Sequence, residues 1–143
     1  MELHVNAKIK IVKPVNEVFD AFIDLKKMSN YWFSSDSARL EQGRTVTLRY
    51  EEYDAQVDIE VLKIEINKKI VFKWAGTEHV VTISLNEPDN VSTTIEVDQR
   101  GWTETDEDLV SQLLDNKEGW VYMLTCLKGY LEYGVILRAA LVK

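Results

Sequence analysis

The sequence has one cysteine, two prolines and two histidines among 143 residues, and no apolar run near the roughly 20 residues of a membrane-spanning helix. With Cys126 alone, no internal disulfide can form. The N-terminus, MELHVNAKIKIVK, alternates instead of forming an apolar block, so it does not read as a secretory signal. Both features lead to the expectation of a cytoplasmic protein. Basic residues number 17 against 24 acidic ones, a net charge of −7. Such a chain lacks the basic face that displaces counterions from nucleic acid, and anionic membrane surfaces are disfavoured on the same ground. A neutral or apolar small molecule, or a protein, is the more natural partner.

Sequence motifs for common chemistries are also missing. There is no G-x-x-x-x-G-K-[ST] or G-x-G-x-x-G to cradle a phosphate, and no G-x-S-x-G elbow. His4 and His79 do not stand at ligand spacing, so neither a metal site nor a cofactor is expected. Without repeats, low-complexity tracts or an interdomain linker, residues 1–143 read as a single domain. A chain of this length buries roughly two thirds of its unfolded surface.

What is present is alternation, followed by helical periodicity. Leu3, Val5, Ala7, Ile9 and Ile11 alternate with His4, Asn6, Lys8 and Lys10, the pattern of a half-buried strand with His4 on its outer face. Pro14 stops that strand and opens a helix with Val15, Val18, Phe19, Phe22 and Ile23 on one stripe. A short second helix is expected from Lys26 to Tyr31. From Arg39 to Arg100 the chain reads as successive antiparallel strands. Their inward positions are Val46, Leu48 and Tyr50; Val57, Ile59 and Val61; Ile70, Phe72 and Trp74; Val81, Ile83 and Leu85; and Val91, Thr93, Ile95 and Val97. The inward parity changes between Val61 and Ile64, which predicts a bulge near Leu62 and a bent sheet. About seven strands are expected in all.

The chain ends on GWVYMLTCLKGYLEYG, where Trp120, Leu124, Leu127 and Leu131 recur at four-three-four spacing. Its helix is expected to start near Lys117, after a separate turn or two at Leu109–Leu114. Thr105 with Asp108 resembles a helix N-cap. Continuation past Gly134 is weakened by that glycine. From Gly119 to Gly134 such a helix would run about 24 Å. The fold class is therefore α+β: a curved antiparallel sheet, two short helices after its first strand, and a long C-terminal helix packed across it.

Cys126, between Leu124 and Leu127, reads as a core residue. The carboxylate runs Glu51-Glu52-Asp54 and Asp106-Glu107-Asp108 read as solvated loop and helix-start charges. The aromatics are the better lead. Trp32, Phe33, Tyr50, Phe72, Trp74, Trp102, Trp120 and Tyr130 either line one concave space or fill the core and leave no cavity; periodicity does not choose. Tyr50, Tyr122 and Tyr130 are sources of hydroxyls for such a space, with Thr93 or His79 at a strand end.

Several motifs resemble the START-like (SRPBCC) superfamily and its helix-grip fold (the START/Bet v 1-like architecture), and within it the family named after the activator of the heat-shock protein 90 ATPase. Pro14 with Val18-Phe19 resembles the family's opening helix, Trp32-Phe33 its aromatic pair, and Arg100-Gly101-Trp102 its Gly-aromatic element. Gly119-Trp120, Leu124, Leu127-Lys128 and Tyr130-Leu131-Glu132 resemble its terminal-helix signature. The likeness covers nearly the whole chain and implies a deep cavity between sheet and helix. Superfamily members bind lipids, sterols or polyketides there, and some are aromatase/cyclases. The expectation is a carrier or sensor of a small apolar molecule. Trp32, Phe33, Tyr50, Phe72, Trp74 and Trp120 would line the pocket, with Met123 and Leu127 as its helical wall. A cyclase using Tyr50 and His79 is one alternative, a module that modulates a chaperone ATPase another. The eponymous co-chaperone has an additional domain for which this chain has no room, so a chaperone contact rests on the resemblance alone.

Overall fold

The computed structural model describes residues 2–142. Strand β1 (His4–Ile11) buries Val5, Ala7 and Ile11 and turns its polar residues outward. There His4 Nδ1 meets Asp98 Oδ1 at 2.5 Å, and Asn6 donates to Glu96 Oε2 at 2.8 Å. Pro14, at φ −66°, precedes helix α1 (Val15–Ile23), whose Val18, Phe19, Phe22 and Ile23 enter the core. The donor that α1 leaves open is met from afar: the Val15 N–H donates to Glu87 Oε2 at 2.6 Å. Helix α2 (Leu25–Met28) starts at Asp24, whose Oδ1 accepts from the Lys26 and Lys27 amides at 3.0 and 3.4 Å. It ends before Tyr31, shorter than periodicity predicts. The amides of Tyr31 and Trp32 bond back to the Met28 carbonyl at 3.0 and 2.9 Å.

Among the described residues six strands form one antiparallel sheet in the order β1-β6-β5-β4-β3-β2. The others are β2 (Thr45–Tyr50), β3 (Ala55–Glu65), β4 (Lys69–Trp74), β5 (Val80–Asn86) and β6 (Thr93–Arg100). The count falls one short of the expected seven. Arg39 makes only an isolated bridge to Asp24, and β3 is a single bent strand. Its register jumps from Val61 opposite Phe72 to Lys63 opposite Val71, leaving Leu62 exposed as the extra residue, where the parity change placed a bulge. Strand β6 begins at Thr93, not Val91. The amides of Val91 and Ser92 are taken by Asp89 Oδ1 at 3.1 and 2.8 Å, within the turn. Gly101, at φ +137°, follows β6 where the chain passes close to β5's entry. A Cβ there would stand 2.6 Å from the Glu78 carbonyl oxygen, so only glycine fits.

Helix α3 (Leu109–Tyr133) is one continuous element of 25 residues. The expected break before Lys117 does not occur, and neither does the Thr105–Asp108 cap. Asp108 sits at φ +53° and its side chain makes no capping bond. The start is held instead by Trp102 Nε1 donating to Gln112 Oε1 at 3.1 Å, and by Gln112 Nε2 donating to the Glu107 carbonyl at 2.7 Å. The far end stops at Gly134, whose φ of +66° is left-handed and whose amide bonds to the Tyr130 carbonyl at 3.0 Å. Along its length α3 follows the direction of β1: Lys117 Nζ donates to the Asn6 carbonyl, Lys128 Nζ to that of Lys10 at 2.7 Å, and Val12 N to Glu132 at 3.0 Å. Among the described residues no helix is long and apolar enough to cross a membrane.

Candidate functional site

Helix α3 meets the core in two different ways. Its second half closes tightly, with Leu124, Cys126 and Leu127 essentially without solvent contact. Along its first half a cavity of about 690 Å³ opens between the helix, the segment after α2 and the ends of β2 and β4. That is within the roughly 300–1,000 Å³ of small-molecule pockets. Tyr31, Trp32 and Phe33 reach it from the segment after α2, Tyr50 from the end of β2, Tyr53 from the 3-10 turn that follows it (Glu51–Tyr53), and Trp74 from the end of β4. Helix α3 contributes Asp115, Asn116, Gly119, Trp120, Tyr122 and Met123, and the C-terminal tail contributes Leu141.

The aromatic rings form an unbroken arc. Trp74 stacks beside Trp120 with centroids 6.2 Å apart, Trp120 meets Trp32 at 5.4 Å and Trp32 meets Phe33 at 4.7 Å. The arc continues from Phe33 to Tyr50 at 5.5 Å and from Tyr50 to Tyr53 at 4.6 Å. Most of these pairs are tilted or edge-to-face, the geometry that ring quadrupoles favour. Several polar tips around the cavity are engaged within the protein, whereas among the described residues the indole N–H groups of Trp32 and Trp74 have no hydrogen-bond partner. Trp120 Nε1 donates to Gln99 Oε1 at 2.7 Å, the Tyr31 hydroxyl to the Ala21 carbonyl at 2.9 Å, and the Tyr53 hydroxyl to the Leu141 carbonyl at 2.9 Å. Tyr50 Oη accepts from the Ala139 amide at 3.2 Å. Burial pushes the Tyr50 phenol up to about 12 and the Tyr31 phenol well above its ordinary value.

Beyond Gly134 the tail turns back and straps the site. Arg138 lies over the Tyr50 ring at 4.6 Å, donates from Nε to the Trp32 carbonyl at 2.6 Å and pairs with Glu52. Tyr122 Oη accepts from the Ala140 amide at 3.0 Å and donates to the Leu137 carbonyl. A side chain at Gly129 would press on this strap, since a Cβ there stands 2.9 Å from Leu137 Cδ1.

Of the eight side chains expected at the pocket, the structure brings six together at the cavity: Trp32, Phe33, Tyr50, Trp74, Trp120 and Met123. Phe72 lies behind the wall, 5.2 Å from the Trp74 ring, and Leu127 belongs to the closed half of α3. Tyr130 stacks on Tyr31 at 6.2 Å and faces a separate polar groove with Asp20 and Lys27. His79 packs edge-on to Trp102 at 4.6 Å, with Gln99 Nε2 3.3 Å from its Nδ1, outside the cavity lining. Cys126 is buried, and burial pushes its thiol up, away from a reactive thiolate. Among the described residues no cluster of three His, Cys, Asp or Glu side chains could hold a metal ion.

Tyr31, Tyr53, Asp115, Asn116, Gly119 and Leu141 escaped the sequence reading. Tyr31 was within reach, as the first of three consecutive aromatics. Asp115 and Asn116 were lost with the expectation that α3 starts near Lys117. Leu141 has no sequence signal, because only the folded strap brings it to the site.

None of the curated proteins compared matches the chain. Among solved structures, protein SSP2350 from Staphylococcus saprophyticus is 45% identical, with a TM-score of 0.84 over 96% of this chain and 98% of its own. The Aha1 dimer from Colwellia psychrerythraea is 22% identical, with a TM-score of 0.78 over 92% of this chain and 98% of its own. DynU16, a protein of the dynemicin biosynthetic locus, is 24% identical, with a TM-score of 0.82 over 94% of this chain but 49% of its own. At these last two identities the likeness is one of fold. The model of the "Activator of Hsp90 ATPase homolog 1-like protein" family matches residues 13–132, from the turn before α1 to the last turn of α3, and the chain belongs to that family.

Proposed function

We propose that the chain is a binding protein, a carrier or a sensor, for a small apolar molecule held between the curved sheet and the first half of α3. One observation carries this reading: six contacting aromatic rings border a cavity of about 690 Å³ whose tyrosine hydroxyls and Trp120 indole N–H are engaged within the protein. Aromatic faces left against an unfilled volume are what an apolar occupant would cover. Its affinity would come from burial at about 25 cal/mol per Å², less the cost of ordering both partners. The fold itself does not choose between occupants, because sites rather than folds carry function. An interaction role, as in the Aha1 dimer, has only the family in its favour.

The test is saturable binding of Nile red, an uncharged apolar fluorophore, and its loss in Gly119→Trp. Gly119 lines the cavity, and a Cβ there meets no atom within 4 Å, so the helix accepts the new side chain while the indole occupies the mouth. The expected result is a blue-shifted, saturable signal that weakens at least about tenfold in a variant with unchanged circular dichroism. Equal saturable binding in the folded variant would remove the site from this cavity.

A further inference from the structure

We propose that the occupant is a planar aromatic cation, an arylammonium or protonated heteroaromatic amine, whose ring lies against the aromatic arc and whose charge faces Asp115 at the mouth. This rests on the cavity being the binding site and narrows its occupant from an apolar molecule in general to an apolar ring system that carries one positive charge at its rim. The cavity wall offers mainly π faces: Trp120 Nε1 and the hydroxyls of Tyr31 and Tyr53 donate within the protein, and the indole N–H groups of Trp32 and Trp74 remain as donors at ring edges. A π face carries negative potential and attracts a cation within about 6 Å of its centroid. The wall already does this once, with the Arg138 guanidinium 4.6 Å from the Tyr50 centroid.

The charge inventory points the same way. Among the described residues no Lys, Arg or His lines the cavity, and Asp115 is the one charged lining side chain. Among the described residues nothing hydrogen-bonds or ion-pairs with the Asp115 carboxylate. The basic groups that flank the cavity on α3, the tail and the end of β2 are already engaged. Arg138 is held by Glu52 and the Trp32 carbonyl, Arg49 by Asp36 at 2.8 Å, and Lys117 by the Asn6 carbonyl of β1. Among the described residues a ligand carboxylate or phosphate would find no free cation lining the cavity and would face Asp115 instead. A fatty acid or an anionic phospholipid is therefore a poor fit. A flat cation satisfies the rings and the carboxylate together, and the chain's net charge of −7 favours its approach.

Three acridines of one ring shape test the charge at constant area: 9-aminoacridine, a cation at neutral pH; acridine, neutral; and acridine-9-carboxylate, an anion. Titration calorimetry at fixed ionic strength should rank them in that order, with the cation about three- to tenfold tighter than acridine. Asp115→Asn should weaken 9-aminoacridine roughly two- to fivefold, as for an exposed ion pair, and leave acridine unchanged. Gly119→Trp should weaken all three, separating cavity binding from loose attraction to an acidic surface. The anion binding as tightly as the cation, or Asp115→Asn acting equally on acridine and 9-aminoacridine, would overturn the assignment. If Nile red binds and is blocked by Gly119→Trp but the acridines show no ranking by charge, the cavity stands and the cation proposal falls. If neither Nile red nor any acridine binds, the cavity reading itself fails.

Discussion

Gln99 shows what a single buried polar residue contributes. It continues the inward parity of β6 after Thr93, Ile95 and Val97, and it is only 2% exposed. Its Oε1 receives the Trp120 indole N–H at 2.7 Å while its Nε2 approaches His79 Nδ1, so it ties α3 to the sheet at the edge of the cavity. Gln99→Leu would keep the volume and remove the acceptor, leaving a buried indole N–H unmatched at a cost of about 1–3 kcal/mol. Urea denaturation should show that loss, and Gln99→Glu, which retains an acceptor, should lose less of the Trp120 contact. An unchanged midpoint in Gln99→Leu would mean that Trp120 is not anchored this way. The inward positions read from the sequence end at Val97; carrying the same alternation one step further reaches Gln99, but nothing in the pattern reaches its partner. Parity says that a side chain points inward, and only the helix's placement says what it meets there. The same distinction separates Trp32 from Phe72: both read as inward aromatics, and the burial of Phe72 behind Trp74 depends on ring packing that has no period.

At the scale of elements, the strands and helices follow from pattern, and the strap does not. Residues 135–142 have no regular structure, yet they are fastened to the site by Arg138, by the Ala139 and Ala140 amides and by the Leu137 and Leu141 carbonyls. All of these partners are distant in sequence, so no local rule reaches them. The one local signal is Gly134, which stops α3 and frees the chain to turn back. Arg138→Ala removes the contacts to Glu52, to the Trp32 carbonyl and to the face of Tyr50 together. It should raise the dissociation rate of a bound fluorophore about three- to tenfold, for the loss of about 1 kcal/mol of strap contacts. Amide exchange at Ala139 and Ala140 should accelerate in parallel, while β6 keeps its protection. Stopped-flow displacement of Nile red measures the first effect. An unaltered off-rate beside accelerated exchange would show that ligands leave by the α3 side and not past the tail.

For the molecule as a whole, the sequence announces a bent sheet under a long helix but not whether the two touch everywhere. Trp120, Leu124, Leu127 and Leu131 have one period and demand one buried face, and that demand is met equally by a filled core or by a walled cavity. The difference lies along the first half of α3, where Trp32 from the segment after α2 and Trp74 from the end of β4 meet Trp120 and border the cavity. That architecture holds phenols out of water, with a consequence for global stability. The Tyr50 phenol, ordinarily at 10.0, is raised to about 12, chiefly by burial and also by the neighbouring Tyr53 against the lowering effect of the Ala139 hydrogen bond and Arg138; Tyr31 is raised well above its ordinary value by burial and by Tyr130. A raised folded value means that the unfolded chain releases these protons first. The contribution of Tyr50 is therefore fully present below pH 10 and drains away as pH climbs through about 12, with at most about 1.4 kcal/mol lost per pH unit for each such group. Urea titrations across this range, read beside phenolate absorbance, should show unfolding free energy falling with pH before the buried phenols ionise in the native state. Tyr50→Phe removes one titrating group and should flatten the fall between pH 10 and 12 while starting from a lower stability at neutral pH, because the Ala139 amide loses its acceptor. A wild-type slope unchanged by that substitution would mean that Tyr50 ionises in the folded protein as it does in water, and that the cavity wall is wetter than its arc of rings implies.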